Sequence, residues 1–107
     1  MSRQVLRITL EEKTDAVVLK LEGRLAGPWV SELDRLWEEK ARYVAQKKFS
    51  LDLREITFAD AGGIRILKDI YSQTGAAILA GTPWTRYLAE EVTTEDETQA
   101  HLEGLNA

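Results

Sequence analysis

Residues 49–64 read FSLDLREITFADAGGI and predict a short buried strand, a connecting segment and the start of a helix. The first five residues, 49–53, alternate apolar and polar side chains, which is the period of a strand with one buried face. Residues 54–60 form the connecting segment, and the pair Gly62-Gly63 begins the helix. A strand, a loop and a helix in this order form the unit from which parallel sheets are built.

Two strands and a long helix precede this unit. Apolar residues at every second position predict one strand over residues 6–10 and another over residues 17–21. Only the polar residues 12–15 separate them, so the two strands form an antiparallel hairpin. A helix over residues 28–46 follows, because Pro28 suits a first helical position and apolar residues then recur at helical spacing.

Downstream of the glycines the sequence predicts the end of the second helix, one more strand, the start of a third helix and a tail. The second helix ends at Gly75 in the left-handed conformation that terminates many helices. Residues 76–80 are apolar throughout, as expected for a strand with both faces covered. Thr82 caps a third helix. Residues 93–107 predict a polar acidic tail or a marginal helix.

The element order predicts a single α/β domain over residues 1–92, with a mixed, mostly parallel sheet and packed helices. A chain of 107 residues suits one hydrophobic core. No apolar run is long enough to span a membrane or to serve as a signal peptide, so we expect a cytoplasmic protein.

The residue inventory excludes most kinds of reactive site. The chain has no cysteine and one histidine, His101 in the tail, which excludes thiol chemistry and multi-histidine metal sites. No phosphate-binding glycine pattern is present, and a net charge of −4 disfavours nucleic acid. Nothing in the spacing of Asp52 and Asp60 brings them together around a cation. We therefore expect no catalytic residue, no cofactor and no metal.

The loop Asp60-Ala61-Gly62-Gly63 is open to two interpretations. Its glycines leave main-chain amides at a helix N-terminus, where an acidic group of a partner can dock. Alternatively, Asp60 only caps the helix and the glycines fit a tight loop. Among the tryptophans, Trp37 and Trp84 fall on apolar helix stripes and Trp29 is expected to face solvent or a partner.

The element order, residues 51–64 (LDLREITFADAGGI) and residues 21–25 (LEGRL) resemble the STAS domain. This family contains bacterial anti-sigma factor antagonists and the cytoplasmic domains of sulfate-transporter-like anion carriers, and the resemblance covers residues 4–92. Switching members carry Asp-Ser-Ser-Gly at positions 60–63 and are phosphorylated on the second serine. Here those two positions are Ala61 and Gly62, which have no hydroxyl.

A second difference lies in the loop after the second strand, where the family's Gly-x-Leu-Asp pattern ends in Ala26. The acidic group near the family's phosphorylation site is therefore missing as well. Thr57 is the nearest hydroxyl, and we expect it to face solvent. The two differences imply a STAS module that is not switched by phosphate at the usual site.

The resemblance implies a non-catalytic interaction module that binds an anti-sigma-like or other regulatory protein. It implies no nucleic-acid partner and no direct membrane insertion, and it leaves a homodimer open. The alternative is a soluble accessory subunit of a membrane lipid or anion transport complex, because STAS-like subunits of bacterial lipid-transport ATPases carry Asp-small-Gly-Gly at this loop. A nucleotide-binding role ranks below both. The partner-binding residues that we expect are Gly23, Arg24, Leu25, Ala26, Asp60, Ala61, Gly62, Gly63, Arg65, Lys68 and Asp69.

Overall fold

The computed structural model describes residues 5–44 and 46–94. Its elements, in chain order, are β1 (Leu6–Glu12), β2 (Ala16–Leu25), α1 (Pro28–Val44), β3 (Lys48–Ala59), α2 (Ala61–Thr74), β4 (Ala77–Leu79) and α3 (Pro83–Thr93). This order confirms the predicted α/β fold class. No helix in the described ranges is long and apolar enough to cross a membrane. His101 and the predicted tail beyond residue 94 lie outside the described residues.

The four strands form one sheet in the order β1-β2-β3-β4. β1 and β2 are antiparallel with Leu10 opposite Leu19, which confirms the hairpin. β3 runs parallel to β2, with Leu51 beside Leu19, and β4 runs parallel to β3, with Ile78 beside Leu51. The sheet is therefore mixed and mostly parallel, as the alternation of helices and strands predicts.

The core lies between one face of the sheet and the apolar stripes of the three helices. Leu33, Leu67 and Leu88, one from each helix, are fully buried together with Val17, Leu21 and Leu25 of β2. Burial of each such side chain contributes roughly 1.5–3 kcal/mol relative to exposure. Three helices consequently hold the sheet from one side and fix the positions of the loops between the elements.

β3 is longer than the sequence predicts, and this is a correction to the expected connecting segment. The strand continues through residues 54–59, because its pairing with β2 extends as far as Leu25 beside Ala59. Two register irregularities interrupt this pairing, so polar residues such as Arg54 and Glu55 reach the surface and the alternation breaks. The helix predicted to end at residue 46 ends at Val44.

The prediction of a fourth strand covered on both faces is also wrong. β4 has three residues and lies last in the sheet order, so it pairs only with β3. Leu79 is 37% exposed as a result. A continuous apolar run is typical of a buried strand, but here it belongs to a short edge strand.

The helix ends agree with the predicted capping residues. Gly75 has a φ of 64°, and its N–H donates to the carbonyl oxygen of Tyr71 at 2.7 Å. Thr82 accepts the N–H of Thr85 at 3.0 Å, while the Thr85 hydroxyl accepts the N–H of Thr82 at 2.8 Å. This reciprocal pair is a capping box.

Candidate functional site

The ends of the two central parallel strands bring the predicted site residues together. β2 ends at Leu25 and β3 ends at Ala59, and these two residues lie side by side. The residues that follow them, Ala26-Gly27 and Asp60, are therefore neighbours although they are far apart in sequence. Surfaces beyond the carboxyl ends of parallel strands are where α/β proteins commonly place their binding sites.

Asp60 joins the two loops through its carboxylate. Its Oδ1 accepts the N–H of Gly63 at 2.7 Å, and its Oδ2 accepts the N–H of Gly27 at 3.1 Å. Its own N–H donates to the carbonyl oxygen of Leu25 at 3.1 Å. The hydrogen bonds from Gly63 and then Gly27 lower the pKa of Asp60. Asp60 thus caps α2 and also ties the start of α1 to it.

The two glycines of the loop have different structural roles. Gly63 is buried, and a Cβ there would lie 2.5 Å from the carbonyl oxygen of Leu25. Only a glycine allows α2 to approach β2 this closely. Gly62 is exposed, and a Cβ there would meet Val30 at 3.7 Å, an ordinary contact. Gly62 can therefore carry a side chain at the surface, whereas Gly63 cannot.

Two shallow depressions flank Asp60, and we name each by its residues. The Arg24 depression, about 520 Å³, is lined by Arg24, Ala26, Gly27, Pro28, Trp29, Phe58 and Asp60. The helix groove, about 240 Å³, is lined by Val30, Ser31, Asp34, Gly62, Arg65, Ile66 and Asp69. The first lies where β2 and β3 end, and the second lies between α1 and α2. We refer to the two depressions together as the rim around the start of α2.

The predicted partner-binding residues are distributed over both depressions and the backbone between them. Three of them, Arg24, Ala26 and Asp60, line the Arg24 depression. Three others, Gly62, Arg65 and Asp69, line the helix groove. Leu25 and Gly63 are buried, Gly23 and Lys68 are half-buried, and Ala61 is exposed; these five line neither depression. The buried pair acts on this surface only by shaping it.

Sequence reasoning missed Phe58 as a surface residue. Phe58 is 38% exposed on β3, and the Cζ atom of Arg24 lies 4.0 Å from the centre of its ring. The two residues are partners across the parallel strands, so no local spacing connects them. The helix groove also contains Val30, Ser31 and Asp34 of α1, which the sequence did not single out. Among the residues of α1, the sequence predicts only Trp29 to face solvent or a partner.

Asp52, the other acidic residue considered for a cation, is engaged elsewhere. Arg54 donates to its carboxylate through Nε at 3.0 Å and Nη2 at 2.8 Å. These hydrogen bonds lower the pKa of Asp52. Residues 5–44 and 46–94 contain no group of three or more side chains that could hold a metal ion.

Asp60→Asn is expected to lower the free energy of unfolding by about 1–2 kcal/mol at pH 7, because it replaces two charge-assisted hydrogen bonds. The asparagine oxygen keeps the cap, but its amide cannot accept the Gly27 N–H. The folded-state pKa of Asp60 lies below its unfolded value, so its contribution is complete above about pH 3.9 and is lost as pH falls through the folded-state pKa. Urea unfolding at several pH values measures this, and the deficit of the variant should shrink below about pH 4.

Asp69→Asn, on the exposed side of the same helix, is the matched control and should change stability by less than about 0.5 kcal/mol. The loss in free energy of unfolding caused by Asp60→Asn should depend on pH. If it stays constant down to the acid transition, the charge of Asp60 does not strengthen its hydrogen bonds to Gly27 and Gly63.

The family model described as "STAS domain" matches residues 7–84. The fold resembles the crystal structure of an anti-sigma factor antagonist from Mycobacterium paratuberculosis, with a TM-score of 0.68 and 19% identity; the match covers 98% of this chain and 83% of that one. It also resembles the unphosphorylated anti-sigma factor antagonist SpoIIAA, with a TM-score of 0.61, 17% identity and coverage of 92% and 97%.

A third similar structure is an uncharacterized protein from Shewanella loihica with a SpoIIAA-like fold, with a TM-score of 0.57, 18% identity and coverage of 94% and 95%. The search of curated proteins found no match. At these identities the solved structures support the fold, while the family model spans most of the sequence, including both strand ends and the loop around Asp60. The chain belongs to the STAS domain family.

Proposed function

We propose that this protein is a non-catalytic STAS interaction module that binds a regulatory protein in the cytoplasm. It does so through the rim around the start of α2, without phosphorylation of residues 57–63. The observation that carries the proposal is the state of Asp60. Both of its oxygens are held by main-chain amides in an arrangement that needs no added phosphate. The rim is therefore a fixed surface for a partner.

The chemistry of the rim favours binding over catalysis. Asp60 is the carboxylate at its centre, and its lowered pKa makes it a weak proton acceptor at neutral pH. The two depressions are shallow, whereas substrate sites are usually concave enough to bury most of a small molecule. A broad surface with a few fixed charges suits a protein partner better.

The residues of the loop also bear on regulation. Thr57 is the only hydroxyl-bearing residue in the segment 57–63, and it is exposed on β3 before the loop begins. Phosphate at position 62, where switching members have their second serine, would place nearly two negative charges close to Asp60, but Gly62 offers no oxygen to carry it. Occupancy of the rim is then set by the supply of the two proteins.

Photo-crosslinking in the native host tests the proposal. A photoreactive residue is placed at Ser31 or Arg65 in the helix groove, and at exposed Tyr87 on α3 as the control. We expect both groove positions to capture the same protein and the Tyr87 position to miss it. The purified partner should then bind the unmodified chain, and incubation of the pair with ATP and the host's kinases should leave residues 57–63 without phosphate. Capture from Tyr87 alone, or stoichiometric phosphate in that segment, would overturn the proposal.

A subunit role in a transport complex is the second candidate. It is favoured by the sequence of the loop, Asp60-Ala61-Gly62-Gly63, which follows the Asp-small-Gly-Gly pattern of STAS-like transport subunits. The same crosslinks decide between the candidates. Capture of a membrane-associated ATPase or a permease favours the transport role, and capture of a regulator without membrane association favours the first.

A further inference from the structure

We propose that the Arg24 depression is a carboxylate-binding site that receives an aspartate or glutamate side chain of the partner protein. The inference deepens the proposed function and rests on it for the existence of a protein partner. It assigns a chemistry to one part of the rim and a role to Arg24, Trp29 and Phe58.

Arg24 brings a guanidinium to this depression. Arg24 is half-buried, and its guanidinium lies over the ring of Phe58, its partner on the neighbouring strand, with 4.0 Å between Cζ and the ring centre. Within residues 5–44 and 46–94 it forms neither an ion pair nor a hydrogen bond, in contrast to Arg35 and Arg54, which bind Glu32 and Asp52. Contact with the Phe58 ring restricts the flexible Arg24 side chain and leaves its N–H groups available. Arg24 therefore presents these N–H groups as a preorganised set of donors, the guanidinium fork.

Asp60 does not occupy the guanidinium of Arg24. Asp60 lines the same depression, and Arg24 contributes to its lowered pKa, but no hydrogen bond joins the two side chains in the described structure. Each oxygen of Asp60 already accepts a main-chain N–H. Its negative charge is thus stabilised by the loop and by α2, and the guanidinium fork keeps its capacity for an external acceptor.

Trp29 differs from the other two tryptophans in its indole N–H. The indole N–H of Trp37 donates to Gln73 at 3.0 Å, and that of Trp84 donates to the carbonyl oxygen of Ile56 at 2.9 Å. The indole N–H of Trp29 makes no hydrogen bond within the described residues, and Trp29 lines the Arg24 depression. A second residue with an unused donor therefore lines the same depression.

These groups together select the ligand class. The unused polar atoms are donors, which calls for an acceptor with two oxygens, and Arg binds carboxylates in bidentate fashion. The exposed ring of Phe58 and the ring of Pro28 offer apolar contact for the methylene groups of an acidic side chain and for its neighbours in a peptide. A small free anion would leave that apolar surface uncovered, so an acidic peptide segment fits the depression better.

The test is an NMR titration of the full chain with a capped six-residue peptide that has two central glutamates between leucines. The second ligand is its glutamine isostere. We expect the glutamate peptide to shift the Nε–H signal of Arg24, the indole N–H of Trp29 and the amides of residues 24–29 and 58–60. Its affinity should exceed that of the isostere at least about tenfold and should fall with added salt. Arg24→Gln should abolish these shifts, and Arg24→Lys, which keeps the charge but loses the fork, should weaken them.

Arg86→Gln, at an exposed position on α3, is the control and should leave the titration unchanged. Equal shifts from the isostere, equal shifts from inorganic phosphate, or shifts elsewhere would overturn the inference. Shifts that depend on protein concentration without peptide would also overturn it, because a second copy of the chain would then be the occupant. If the peptide does not bind while the crosslinked partner does, the proposed carboxylate site is wrong and the proposed function is not affected. If no partner is captured, the peptide titration still tests the depression.

Discussion

Gly63→Ala is expected to lower the free energy of unfolding by about 2–3 kcal/mol, whereas Gly62→Ala should change it by less than about 0.5 kcal/mol or raise it slightly. The two substitutions add the same methyl group to adjacent residues at the start of α2. Equilibrium urea unfolding of both variants gives the comparison, with the unfolding slope checked for constancy.

The difference follows from what each new Cβ meets. At Gly63 it would lie 2.5 Å from the carbonyl oxygen of Leu25 and 2.9 Å from its Cγ. The side chain of Leu25 can rotate, but its carbonyl oxygen is fixed, because it accepts the N–H of Asp60. α2 must then move away from β2, which strains the Gly63–Asp60 hydrogen bond as well. At Gly62 the nearest atoms, on Asp60 and Val30, lie at 3.5 and 3.7 Å.

A second substitution separates the backbone contact from the side-chain contact. Combining Gly63→Ala with Leu25→Ala removes the Cγ contact but keeps the carbonyl oxygen in place. We expect the double variant to recover little of the loss caused by Gly63→Ala, after the separate cost of Leu25→Ala is subtracted. Complete recovery, or equal stability of the two alanine variants at 62 and 63, would show that close approach to the backbone is not what this glycine provides.

The fold was predictable from the sequence wherever the signal is local. Alternation defines the hairpin, and capping residues define where α2 and α3 begin and where α2 ends at Gly75. The continuation of β3 to Ala59 was not predictable, because irregular pairing with β2 expels polar residues and interrupts the alternation. Nor does composition distinguish a buried strand from the three-residue edge strand β4.

The candidate site also has one part that the sequence predicts and another part that it does not. The cap formed by Asp60 is a local feature, and the sequence offered it as one of two interpretations. The second hydrogen bond of Asp60 reaches Gly27, which lies 33 residues away, and the stack of Arg24 on Phe58 depends on the register of two strands. Such contacts depend on tertiary structure, and one sequence without its fold cannot specify them.

Gly62→Glu is expected to reduce affinity for the crosslinked partner at least about 100-fold while the protein stays folded. Gly62 is exposed at the edge of the helix groove, so the new side chain would occupy space that the partner needs. Its charge would also join Asp34 and Asp69, which line the same groove. Isothermal titration calorimetry with the purified partner measures the loss, and a urea melt of the variant tests folding.

Stability should change little in this variant, because the position tolerates a Cβ and a negative charge near a helix N-terminus is favourable by about 0.3–1 kcal/mol. Gly81→Glu is the matched control: Gly81 is also exposed, directly precedes the cap of α3, and lines neither the helix groove nor the Arg24 depression. It adds the same charge beside a different helix start and should leave affinity unchanged.

Gly62→Gln separates the effect of side-chain size from the effect of charge, and we expect it to lose less affinity than Gly62→Glu. If both variants at Gly62 bind as tightly as the parent, the partner does not cover the start of α2, and the proposed surface is wrong even if the protein binds a partner elsewhere.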